Sequence, residues 1–139
     1  MSKKFTTEVN PTNQITNSSE CAQAFREIWN LDKLLVHERV YVIYLDQNKH
    51  YLYHRKLNTG GYSHVDFDVD TAILYALKRR SKHIILSHNH TSGDCRPSGH
   101  DIEETAKIVS ICKSLGITLV DHVILCRDEY YSFRDHSLL

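Results

Sequence analysis

The sequence predicts an α/β sandwich in which helices pack on a mixed central sheet. Three observations carry this prediction. Behind an N-terminal helical segment, the elements follow the order β-β-α-β-α-β, which builds helices onto a sheet. Two strand segments, HIILS (83–87) and ITLVDHVILC (117–126), are the dense apolar runs expected of buried strands. The chain has 139 residues, 41 % hydrophobic and 24 % charged, enough for one domain with a sizeable core.

Residues 1–16 are polar, with scattered Phe5, Val9 and Ile15, and read as a flexible or edge-strand tail; the domain occupies 17–139. Asn17, Ser18 and Ser19 offer helix caps before Ala22, Phe25, Ile28 and Trp29 at helical spacing, with Leu31, Leu34 and Leu35 continuing the packing. ERVYVIYLD (38–46) and HYLYHRKLN (50–58) flank a turn and read as a β-hairpin. Tyr41, Tyr44, Tyr51 and Tyr53 on it read as sheet packing. Gly60 and Gly61 then break the pattern. A helix over about 67–80 has Asp68 and Asp70 early and Lys78, Arg79 and Arg80 late, which suits the helix dipole at both ends. HIILS precedes a long loop, His88 to His100, without hydrophobic periodicity. A helix over about 98–115 follows, capped by Ser98, stopped by Gly116, with Ile102, Ala106, Val109 and Cys112 as its apolar stripe. YYSF (130–133) is a short last strand.

Lys plus Arg and Asp plus Glu both number 17, so the formal charge is zero. That argues against a broad electrostatic grip on nucleic acid or anionic lipid, leaving at most a local patch. No apolar run approaches a membrane span, and MSKKFTTEVN lacks a signal-peptide core, so a cytoplasmic location without membrane contact is expected. Cys21, Cys95, Cys112 and Cys126 contain no Cys-x-x-Cys pair and read as buried or idle thiols, with no structural disulfide expected.

The chemistry concentrates in SHNHTSGDCRPSGHD (87–101). His88 and His90 are two apart at a strand exit, so both rings can face one ion. Ten histidines at random give roughly 0.7 such pairs, so the pair alone is weak. Asp101, in the first turn of the next helix, completes a His-His-carboxylate set with a fourth tetrahedral position open to water, the plan of a catalytic zinc. Glu38, at the mouth of the first core strand, is a candidate base; the plainer reading is a solvated strand end. Ser98 reads as a helix cap, and Asp94 as a brace of its own loop. His122 reads either as the partner behind a ligating histidine or as an ordinary core histidine. His100 reads as exposed at a helix start.

His88-x-His90, seven residues, Ser98, two residues and Asp101 reproduce the spacing of the JAMM (MPN+) metalloprotease motif. The wider segment resembles the RadC branch, whose signature is close to HNHPSGD…PS..D. ERVYVIYLD resembles the strand that carries that family's glutamate, LVDHVIL (119–125) its Asp-His strand, and YYSFRD (130–135) its Ser-Phe end. The resemblance implies a cytidine-deaminase-like α/β/α sandwich of JAB/MPN architecture holding one zinc per chain. It implies His88, His90 and Asp101 as ligands, Glu38 as general acid/base, and Ser98 as a donor to the oxygen of the tetrahedral intermediate. The implied activity is hydrolysis of a peptide or isopeptide amide by a metal-activated water.

Thr91 stands where the branch usually has proline, which leaves ligation intact and loosens the expected loop. The helix-hairpin-helix segment that precedes this domain in full-length RadC proteins has no counterpart here, so DNA contact through it is not expected and the historical DNA-repair label draws little support. The string HNH is not the spaced motif of HNH nucleases, and a nucleotide deaminase needs His-x-Glu with Pro-Cys-x-x-Cys. The alternative function is a non-enzymatic, zinc-containing interaction module or a DNA-repair-associated accessory protein. Exposed edge strands permit a homodimer or β-addition of a peptide.

Overall fold

The computed structural model describes residues 14–29, 36–57 and 68–139. Most of the 1–16 tail, Leu31, Leu34, Leu35 and the Gly60-Gly61 break lie outside them. The elements are α1 (Ser18–Ile28), β1 (Val40–Leu45), β2 (Tyr51–Leu57), α2 (Val69–Lys78), β3 (His83–Asn89), α3 (Gly99–Ser114), β4 (Thr118–Leu125) and β5 (Tyr130–Ser132). They match the expected elements in kind and order. The sheet runs β2-β1-β3-β4-β5. β1 is antiparallel to β2 and β3, β3 is parallel to β4, and β5 returns antiparallel. The sheet is therefore mixed, with α3 as the crossover between the two parallel strands.

Strand alternation sorts the core into two layers. Val40, Val42, Tyr44, Ile84 and Leu86 meet Ala72, Ile73 and Ala76 of α2 and Ile108 and Cys112 of α3 on one face. Ile43, Leu45, Ile85, Val123 and Leu125 meet Cys21, Ala22, Ala24 and Phe25 of α1 on the other. The result is the expected α/β/α sandwich. Tyr44 and Tyr53 stack at 4.4 Å, and the buried Tyr44 hydroxyl donates to the Ala72 carbonyl, so these tyrosines are sheet packing. Asn17 caps α1 and Asp68 caps α2. Among the described residues, no helix is long and apolar enough to cross a membrane.

β3 and β4 do not pair evenly. Ile84 pairs with Leu119 but Ile85 pairs with Asp121, so Val120 is an extra residue on β4. Such a bulge exchanges the faces of every later residue on its strand. It turns Asp121 towards the α1 side and His122 towards α3. The Asp121 carboxylate accepts from the His122 and Arg134 backbone N–H groups and from the Ser132 hydroxyl, tying β4 to the chain after β5. Burial raises the pKa of this carboxyl above its ordinary value.

Three expectations are corrected. β3 continues through His88 and Asn89, so the loop begins at His90. The buried face of α3 is Asp101, Thr105, Ile108 and Cys112, with Val109 packed partly against the same core; of the expected stripe, Ile102 and Ala106 are exposed. Ile102 is 37 % exposed because the first turns of α3 lie over polar side chains and not over the apolar sheet. Cys95 and Cys126 are joined as a disulfide with Cα atoms 5.7 Å apart, because the 90–98 loop folds back over the end of β4; Cys21 and Cys112 are the expected buried free thiols. Gly116 stops α3 as expected, at φ +71°. The corrected face predicts that Ile108→Ala lowers unfolding stability by about 2–5 kcal/mol while Ile102→Ala costs less than about 1 kcal/mol, read by urea denaturation. Equal losses at both positions overturn that assignment.

Candidate metal centre

The cluster forms where β3 ends and α3 begins, with the loop between them folded so that the two ends meet. His88 is the last residue of β3 on the face that carries Ile84 and Leu86, and is 1 % exposed. His90 follows just past the strand. Their Nε2 atoms lie 3.0 Å apart. Asp101 brings Oδ2 to 3.1 Å from His90 Nε2 and Oδ1 to 3.5 Å from His88 Nε2. The three residues singled out from the sequence thus meet at one point.

Asp101 is held there by its own helix. The Ser98 hydroxyl accepts from the Asp101 N–H at 3.0 Å, and Asp101 Oδ2 accepts from the Ser98 N–H at 2.9 Å, a closed capping box. One carboxylate oxygen therefore serves both the cap and the cluster. Burial raises the Asp101 carboxyl pKa, but hydrogen bonds from His88, His90 and the Ser98 N–H outweigh that and hold it well below the usual carboxylate range. The His90 pKa is raised above its ordinary value, chiefly by its bond to Asp101 and against the effect of burial. His90 Nδ1 lies 2.7 Å from the Asp94 carbonyl, which can only accept, so Nδ1 carries a proton and donates to it. Asp94 also accepts from the Arg96 backbone and guanidinium, so it braces the loop as expected.

Glu38 lies two residues before β1. Val40 pairs with His88 across the β1–β3 ladder, so the antiparallel register carries Glu38 towards His90. Its charge is close enough to act on the His90 ring. Sequence reasoning missed how this segment is held. Asn89 Oδ1 accepts from the Arg39 N–H at 2.7 Å, and Asn89 Nδ2 donates to the His37 carbonyl at 2.9 Å. The only hint was an amide between two histidines, which alternation turns away from them. His122 is fully buried and places Nε2 2.7 Å from His88 Nδ1, so it is the partner behind that histidine. Burial holds its pKa well below the ordinary histidine value, so the ring is neutral. His100 is exposed and pairs with Glu104 at 2.9 Å. A cleft of about 370 Å³ opens beside the cluster, lined by His90, Ser92, Asp94, Arg96, Pro97 and Ser98.

The donor set fits a divalent cation. Among the described residues, two groups bring three ligand-type atoms together: His88, His90 and Asp101, and Cys95, Cys126 and Glu129. In the second, the sulfurs are bonded to each other and offer no thiolate. In the first, imidazole nitrogens and a carboxylate converge with their remaining atoms already bonded elsewhere, which is the set zinc takes at three-ligand sites.

A mixed sheet between helix layers, with a His-His-Asp cluster where a core strand passes into a helix, defines an α/β domain with a candidate metal centre of the JAB type. The family model described as the RadC-like JAB domain matches residues 15–138, and the chain belongs to that family. It is 36 % identical over 98 residues to a UPF0758 protein of Streptococcus thermophilus, covering 70 % of this chain and 43 % of that protein. It is 35 % identical over 102 residues to a UPF0758 protein of Chlorobaculum parvum, covering 73 % and 46 %. A UPF0758 protein of Streptococcus gordonii is 33 % identical over 100 residues, covering 72 % and 44 %. The chain spans less than half the length of these relatives.

The capping box predicts that Ser98→Ala lowers stability by about 1 kcal/mol and Ser98→Gly by a few tenths, measured by urea unfolding. A Ser98→Ala chain as stable as the parent removes the cap from the energetics.

Proposed function

We propose that the chain is a zinc-dependent hydrolase of the JAMM type, acting on a peptide or isopeptide amide. The observation that carries this reading is the convergence of His88, His90 and Asp101 at the mouth of an open cleft, with the Glu38 segment clamped on the neighbouring strand. Membership of the RadC-like JAB family supports it. His88 and His90 would hold the ion through Nε2, and Asp101 through a carboxylate oxygen. A zinc ion supplies an acidified water and a Lewis acid for the scissile carbonyl.

The remaining steps belong to the chain's own groups. Glu38 takes the proton of the attacking water and returns it to the leaving amine. Asn89 bonds the backbone on both sides of Glu38, at the Arg39 N–H and the His37 carbonyl, and so holds the segment that carries the carboxylate. The Ser98 oxygen accepts from the Asp101 N–H and keeps its own proton, which it can donate to the oxygen on which charge develops. Capping and oxyanion donation therefore use different parts of one hydroxyl. Asp101 stays ionised, because the bonds that hold it in place favour its charged form.

The test is a metal assay followed by a fluorogenic peptide and isopeptide panel, with and without chelator. Glu38→Gln keeps about one zinc per chain and loses hydrolysis by about 10²-fold or more, the usual scale for a general acid/base. Asp101→Ala lowers zinc affinity sharply. Loss of zinc from Glu38→Gln makes Glu38 a ligand and overturns its role. A parent chain that binds zinc and cleaves nothing in the panel overturns the hydrolase reading in favour of an interaction module.

A further inference from the structure

We propose that Cys95, Cys126 and Glu129 form a second metal site, which opens when the Cys95–Cys126 bridge is reduced and takes a zinc-type divalent cation on two thiolates and a carboxylate. The site is separate from the His88, His90 and Asp101 cluster and does not depend on the hydrolase reading.

The three residues come from the loop after β3, the end of β4 and the turn into β5. Cys95 and Cys126 are bonded, with Cα atoms 5.7 Å apart, and a Glu129 carboxylate oxygen lies within 4.8 Å of both sulfurs. A tetrahedral zinc holds two thiolate sulfurs about 3.8 Å apart, an opening that rotation about the Cα–Cβ bonds supplies at this backbone separation. Glu129 is exposed, and its carboxylate has no hydrogen bond or ion pair among the described residues, so turning it inwards breaks no bond seen there.

The frame around the site does not rely on the bridge. The Cys126 N–H donates to the Glu129 carbonyl at 2.9 Å, closing the turn between β4 and β5. The Arg26 guanidinium reaches over from α1 and donates to the Cys126, Arg127 and Glu129 carbonyls. Cys126 and Glu129 therefore keep their places when the bridge opens. Cys95 packs in an apolar cluster with Ile124, Cys126 and Phe133, which suits a thiol as well as a bridged sulfur. Two thiolates and a carboxylate exceed the charge of a divalent ion by one, and the neighbouring Arg26 offsets the excess. Cys21 and Cys112 pack in the layers on opposite faces of the sheet and cannot join the set.

Opening the site takes two electrons from a dithiol. One thiol attacks Cys95, the more exposed sulfur at 7 % against 2 % for Cys126. The bridge breaks and Cys126 leaves as a thiolate. The second thiol of the reductant then displaces Cys95, and the reductant departs as its own disulfide. The cation replaces the thiol protons, which pass to solvent. Thiolate ligands select zinc over magnesium or calcium. The loop between His90 and Asp101 is then tied to β4 through a metal instead of a covalent bond.

The experiment is cobalt titration of the full chain in its oxidised form and after reduction by a phosphine. Cobalt stands in for zinc because its thiolate complexes carry a near-ultraviolet charge-transfer band that a His-His-carboxylate site lacks. The reduced parent develops the band and added zinc abolishes it; the oxidised parent develops none. Reduced Cys95→Ser, Cys126→Ser and Glu129→Gln each weaken the metal binding that the band reports by about 10-fold or more, since each removes a ligand and not only a partner behind one. A reduced parent without the band overturns the proposal and needs no variant. A band that Cys95→Ser and Cys126→Ser leave unchanged also overturns it, because the metal is then on Cys21 or Cys112. Cobalt bound without the band supports the His88 cluster alone, and a band at one cobalt per chain supports the thiolate site alone, so the two readings fail separately.

Discussion

The Asp101 carboxylate is the point on which the site depends. It closes the capping box of α3, receives His90 and faces His88, all from one buried side chain. A carboxylate in that setting loses hydration and recovers it as directed hydrogen bonds, which fixes its orientation more firmly than packing alone. Because the same oxygen takes the Ser98 N–H and approaches His90, the start of α3 and the cluster are one structure. The helix cannot begin elsewhere without dispersing the donors, and the donors help to specify where it begins.

The sheet contributes through register. Leu119 and His122 are three residues apart and would face opposite sides of an unbroken strand. The extra residue Val120 brings both to the α2/α3 side, and sends Asp121 to the other face, where it secures the end of the chain. One irregularity thus assigns adjacent residues to separate duties. Asn89 does similar work on β3: it points away from the histidines beside it and clamps the segment carrying Glu38. The Cys95–Cys126 bridge ties the loop between His90 and Asp101 to the end of β4, joining the two cluster-bearing ends to the sheet by a covalent route.

Much of the fold is legible because local signals agree with it. Alternating β-branched and aromatic residues give the hairpin, the dense apolar runs give β3 and β4, and Gly116 ends α3. Hydrophobic periodicity failed at the first turns of α3, and the failure has a cause. The face that packs inward there carries Asp101 and Thr105, whose side chains meet the imidazoles of His90 and His122. Local pattern and tertiary structure part company where the structure spends its burial on polar groups, and that is where the candidate site lies. The disulfide was missed for a different reason: pairing across 31 residues depends on how a loop folds back, which spacing does not encode.

The sequence by itself determined the element order, the sandwich and which side chains are candidate donors, because strand alternation, capping chemistry and the His-x-His…Ser-x-x-Asp spacing are local properties of the chain. Only the tertiary structure decided which face His122 takes, that Thr105 stands behind it, and that Asn89 holds the strand of Glu38. Those depend on a bulge, a crossover and a ladder register, each fixed by contacts between segments far apart in the chain.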